Sequence, residues 1–71
     1  MPSWSKSVYS SMVQEIAYAP ETEEMLVTWA NGRTSAYAGV PEDVAMQVAN
    51  APSVGQAMNQ MIKPMYAHRY V

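Results

Sequence analysis

An α+β fold, with a three-stranded antiparallel β-meander followed by two short helices packed on one sheet face, follows from three observations. Runs of alternating apolar and polar residues flank Asn31-Gly32, a strong short hairpin signal. Gly39-Val40-Pro41 then breaks the alternation and hands over to helical spacing, and Ser53 with Gln56 three residues later marks a second helix start. Strands precede helices with no long crossover between them, so neighbouring strands run antiparallel. The expected organisation is an N-terminal arm at residues 1–10, one domain over residues 11–66, and a C-terminal tail at residues 67–71.

The elements follow in order. In the first strand, residues 12–19, Met12, Ile16 and Tyr18 share one parity, interrupted by Gln14, while Val13, Glu15 and Ala17 point the other way. Ala19-Pro20-Glu21-Thr22 closes it, since proline cannot donate to a central ladder. The second strand, residues 24–29, places Met25, Val27 and Trp29 on one face. Asn31-Gly32 predicts a type I′ turn, with positive φ at both central positions, leading into a third strand over residues 33–37. Pro41 suits the first helical position, and Glu42 and Asp43 complement the dipole of the first turn. Val44, Ala45 or Met46, and Val48 form a short apolar stripe that Asn50-Ala51-Pro52 ends. Val54, Ala57, Met58, Met61 and Ile62 form the stripe of the second helix, which Pro64 ends after Lys63. The second sheet face, with Val13, Leu26, Thr28, Thr34 and Ala36, is left without cover inside the chain, which predicts a dimer or another partner.

Composition narrows the function. Seventy-one residues hold one core, and a domain this small buries little of its surface. The absence of cysteine removes disulfides and thiolate metal sites, so self-association is the expected aid to stability and a homo-oligomer the expected state. Charged residues make up only 14% of the chain, and Lys6, Arg33, Lys63 and Arg69 are its only fixed cations against a net charge of −2. That supply is thin for long nucleic acid, which is neutralised by clusters of Lys and Arg. A small ligand with one or two phosphates needs only a cation or two and an aromatic wall. No apolar run approaches the roughly 20 residues of a membrane span, and the start lacks a signal peptide's basic and apolar regions. A cytoplasmic protein is expected.

The pattern Val8, Ser10-Ser11, Tyr18, Asn31-Gly32, Tyr37, Gly39-Val40-Pro41, Ala51, Ser53, Gly55, Asn59 and Tyr66 resembles the KTSC domain, the short domain named after the C-terminus of some lysyl-tRNA synthetases. The resemblance spans residues 8–66. It departs from the family pattern at Ser35, where the central Y-x-Y motif has its first tyrosine. The resemblance implies no established enzymatic activity; attachment to a synthetase invites a role in RNA binding. Stand-alone copies of this size occur in bacteria and phages, so a small accessory protein, acting in the host cytoplasm if phage-encoded, is implied.

Candidate chemistry is sparse. His68, the single histidine, falls in the tail without an orienting partner, and Ser10, Ser11 and Ser53 lack a nucleophile context, so no catalytic residue is expected. No metal site or cofactor is expected either, since carboxylates would have to supply nearly every ligand. Of the seven methionines, Met25, Met58 and Met61 read as core filler, Met1, Met12, Met46 and Met65 are less constrained and open to a subunit contact, and Trp29 reads as core. Trp4 and Tyr9, in the arm, are candidate anchors to a partner chain. Arg33 and Tyr37 share one strand face and form the best ligand-like pair: a guanidinium for a phosphate and a ring for a base. Lys63, Tyr66 and Arg69 join them if the tail folds back. The expected function is a non-catalytic binding module that recognises or sequesters a nucleotide-type or phosphate-bearing ligand, such as a host signalling nucleotide in a phage setting. The alternatives are a protein–protein module that modulates a host protein and an RNA-binding accessory.

Overall fold

The computed structural model describes residues 4–8 and 10–71. It is an α+β fold with one antiparallel sheet and two helices, but the sheet has five strands where three are expected, in the order β1-β2-β3-β4-β5. The strands are β1 (Trp4–Ser7), β2 (Val13–Ala19), β3 (Glu24–Trp29), β4 (Thr34–Tyr37) and β5 (His68–Tyr70). The central three are the predicted meander. The arm and the tail supply the two edges: β1 pairs with β2 and β5 with β4, both antiparallel. Edge strands of three or four residues satisfy the backbone groups of β2 and β4 and leave little exposed ladder for stray pairing.

Register fixes the two faces. Trp4, Tyr18, Met25, Tyr37 and His68 lie in one cross-strand row; Lys6, Ile16, Val27, Ser35 and Tyr70 lie in the next. These rows face the helices. Val13, expected on the outer face, is turned inward and fully buried, because the register slips between Val13 and Glu15. The extra residue is Gln14, whose side-chain amide donates to the Ala30 carbonyl at 3.2 Å; a bulge inverts the alternation on its far side. The outer face carries Ala17, Leu26 and Ala36 in one row. Ala17 and Ala36 are nonetheless buried, covered by their larger neighbours on the pleat.

The hairpin turn also differs from expectation. Only Gly32 has positive φ, at 89°, and the loop holds three residues between the bonded pair Trp29 and Arg33. The Gly32 N–H donates to the Trp29 carbonyl at 2.9 Å, and the Arg33 N–H donates to Asn31 Oδ1 at 2.9 Å. This is a type I turn followed by a left-handed glycine, the common three-residue solution. Asn31 thus acts through its side chain and has no need of a left-handed backbone.

Pro41 precedes α1 (Glu42–Ala49) as its cap residue, one position earlier than expected, with its carbonyl accepting from Val44 and Ala45. Ala45 takes the buried position of the stripe, and Met46 is 49% exposed. Ser53 Oγ accepts from the Gln56 N–H at the start of α2 (Val54–Ala57). This helix continues into a π-helical turn, Met58–Ile62, closed by the Lys63 N–H on the Met58 carbonyl. The wider turn brings Ile62 fully into the core beside Met58 and leaves Met61 half-buried. Beneath both helices Tyr18 is 1% exposed and donates its hydroxyl to the Val40 carbonyl at 2.6 Å. Trp4 stacks on Tyr18 with ring centroids 5.8 Å apart, and its indole N–H donates to Glu42 Oε2 at 3.1 Å. The arm's tryptophan is therefore anchored within its own chain. Tyr9 lies outside the described residues.

Two outcomes follow. A Cβ at Gly32 would meet nothing within 4 Å, so Gly32→Ala tests backbone strain alone; it is expected to lower unfolding free energy by about 1–2 kcal/mol in urea denaturation. Burial, then the carboxylates of Glu23, Glu42 and Asp43, raises the Tyr18 hydroxyl above the usual tyrosine value of 10.0. A folded-state value above the unfolded one keeps stability intact below pH 10 and erodes it as pH rises further. The melting temperature is expected to fall above pH 10, and Tyr18→Phe to flatten that fall while lowering stability at neutral pH by roughly 1 kcal/mol through the lost hydrogen bond.

Candidate functional site

On the helix-bearing side, a cleft of about 520 Å³ opens where β3, β4 and β5 meet the end of the helical segment. Strand alternation builds it. Trp29 ends the inward row of β3, Ser35 and Tyr37 are the inward residues of β4, and His68 and Tyr70 are the inward residues of β5. Lys63, directly after the π-helical turn, borders the opening, and Met12 lines it from the connection just before β2. Ser35 is the buried polar residue of the core, 1% exposed, and its Oγ accepts the Trp29 indole N–H at 2.8 Å. That bond fixes the indole plane and satisfies both groups.

The rings and cations are already paired. Lys63 Nζ lies 5.0 Å from the Trp29 ring centroid, and the Arg33 guanidinium 5.4 Å from that of Tyr70. Both distances are within cation–π range. Tyr37 and His68 have ring centroids 5.2 Å apart, and His68 meets Tyr70 edge-on at 5.5 Å. Burial, with a smaller contribution from Tyr70, raises the Tyr37 hydroxyl above the ordinary tyrosine value, so it stays neutral at physiological pH. Among the described residues, no carboxylate lines the cleft. Such a site, with aromatic walls, Lys63 at its border and Arg33 over one of its rings, favours an anion that carries a planar group. Ser35 has no base beside it, its oxygen being engaged by an indole. Among the described residues, no three His, Cys, Asp or Glu side chains cluster as metal ligands would.

The predicted residues divide. Tyr37 and Lys63 line the cleft, and Arg33 meets it through Tyr70, over whose ring its guanidinium lies. Tyr66 packs against the core elsewhere and does not line the cleft. Arg69 is excluded by strand parity: it sits on the outer face, bonded to Glu24 at 3.0 Å. His68, Tyr70 and Trp29, which the sequence alone assigns to a solvated tail and to the core, form most of the aromatic wall. The missed signal is the i, i+2 spacing of His68 and Tyr70, the spacing of two rings on one strand face.

Asn31 and Tyr37 of the KTSC-like pattern line this cleft, and five others gather elsewhere. Ser10, Ser11, Ser53, Gly55 and Asn59 border a second cleft of about 420 Å³ between the β1–β2 connection and α2. Ser10 Oγ accepts from the Met12 N–H at 3.2 Å, and a Cβ on Gly55 would lie 3.4 Å from Met12 Sδ. These residues seat the connection on the helix.

Comparison with known proteins agrees with this architecture. The chain is 31% identical over 64 residues to an uncharacterised protein of Stutzerimonas stutzeri, a match covering 90% of this chain and 89% of that one. It is similar to the crystal structure of a KTSC domain protein from Yersinia pestis, with a TM-score of 0.89, 26% identity and 96% of each chain covered. The model of the KTSC domain matches residues 9–66, and the chain belongs to the KTSC domain family.

Proposed function

We propose that this protein is a non-catalytic binding module that takes a nucleotide-type, phosphate-bearing ligand in the Trp29–Tyr37–Tyr70 cleft. One observation carries the reading: two cations, Lys63 and Arg33, stand over the rings of a cleft that no carboxylate lines. A volume of about 520 Å³ falls within the range of small-molecule sites and holds a single nucleotide. A planar base contacts the aromatic wall, while Lys63 and Arg33 leave their rings for the phosphate oxygens. An anion returns more than the exchange loses, since a charge-assisted hydrogen bond contributes about 1.5–3 kcal/mol and an exposed cation–π contact about 0.5–1. Retention without turnover fits a cleft whose hydroxyl and imidazole lack activating partners, so the role proposed is recognition or sequestration.

Thermal denaturation against a panel of nucleoside monophosphates, diphosphates and cyclic nucleotides tests this. A bound nucleotide at about ten times its Kd should raise the melting temperature by at least about 5 °C. Lys63→Ala should weaken binding roughly tenfold. Ser35→Tyr, which puts a ring into the cleft from its floor, should abolish binding and keep the fold. A panel without a single shift would overturn the reading.

A further inference from the structure

We propose that β5 is the recognition strand of this cleft: Tyr70 is the platform on which the planar part of the ligand stacks, His68, set perpendicular to it, borders the edge of the stacked group, and Arg33, resting on Tyr70 in the free protein, moves to the phosphate. The inference rests on the nucleotide reading above and assigns its base-contacting residues. Tyr37 is closed to a ligand's face: it is 1% exposed, and its ring is set against His68. Trp29 is half-buried and its N–H is committed to Ser35, so its ring is less open than those of β5. Tyr70 is 60% exposed and His68 is exposed beside it, so these are the rings a ligand reaches.

The strand itself supports the assignment. All three residues of β5 are exposed, so their identities are not explained by the core. Alternation sends His68 and Tyr70 to the cleft and Arg69 to the opposite face, where Glu24 holds it. The backbone is fixed at both ends, by the Ala38 N–H on the Ala67 carbonyl and the Val71 N–H on the Thr34 carbonyl. A short strand pinned in this way presents two rings 5.5 Å apart on a defined surface. The stretch matched by the family model ends at Tyr66, so both rings stand outside the part by which the family is recognised. Scaffold and ligand-reading strand are separate parts of the chain.

Titration calorimetry of the full chain with AMP, GMP, CMP and UMP tests the platform. Tyr70→Ala should weaken binding by about tenfold, the scale of one lost base–aromatic stack, and His68→Ala, which removes the edge contact, by about threefold. Tyr70→Phe should bind like the parent and Tyr70→Leu like Tyr70→Ala, because the ring and not its bulk or hydroxyl is required. Arg69→Gln, on the far face, should stay within about twofold. Melting temperatures near that of the parent confirm folding of each variant. Any other nucleotide that shifts melting in the thermal panel replaces these four in the titration. Parent-like affinity in both alanine variants, or in Tyr70→Leu, overturns the platform; a parent protein that binds no nucleotide of either set overturns the nucleotide reading itself.

Discussion

Two buried tyrosines, Tyr18 and Tyr37, set the geometry on which the rest of this small domain depends. They stand in one cross-strand row with Trp4, Met25 and His68, so the row crosses all five strands. Each edge strand places an aromatic side chain against the tyrosine of its neighbour, Trp4 on Tyr18 and His68 on Tyr37. A chain of 71 residues without cysteine has few means of holding its termini. Aromatic contacts across the sheet supply one, each adding roughly 0.5–1.5 kcal/mol beyond area burial. Tyr18 also bonds the Val40 carbonyl, at the point where the sheet gives way to the helices. One side chain thereby sets the height of the helical layer above the strands.

The cleft is a consequence of the neighbouring row. Ile16 and Val27 fill their positions beneath the helices, but the next inward residue is Ser35, and a small side chain leaves a gap beside large ones. The indole of Trp29 borders that gap and is tied to Ser35 by its N–H. Where the KTSC-like pattern places a tyrosine, this chain has a serine, itself buried and bonded by the Trp29 indole at the floor of the cleft. The helical segment adds Lys63 at the margin directly after its π-helical turn. The site thus lies beside two local departures from the regular pattern, a serine in a ring position and a helical turn widened by one residue.

Much of this was legible in the sequence, and what was not has identifiable physical causes. β2, β3 and β4 each have a buried face, and burial on one face produces the alternation that betrays a strand. β5 has no buried residue and β1 only a half-buried Trp4, so neither leaves such a trace. Gln14 in an apolar parity was a sign of the bulge, but only the pairing of Val13 with Trp29 gives its direction. Asn31-Gly32 marked the turn without giving its length. The site divided along the same line. Strand parity points to Arg33 and Tyr37, and Lys63 enters on the condition that the tail folds back, whereas His68 and Tyr70 reach the cleft by pairing with β4, and Arg69 is turned away from it by the same parity.

The distribution of charge then narrows the ligand. Lys6 bonds the Asn50 side chain beside α1, and Arg69 is paired with Glu24 on the outer face. Lys63 and Arg33 remain, each over a ring at the margin of one cleft. A cation held by a ring keeps its charge available to an anion, whereas one held by a carboxylate must first give up an ion pair. Two of the chain's four side-chain cations therefore stand beside one cleft, while Lys6, whose partner is a neutral amide, keeps its charge beside α1. Glu21 and Glu23 lie in the turn between β2 and β3, a surface that repels a long polyanion. A small ligand that ends inside the cleft meets both cations and none of that repulsion.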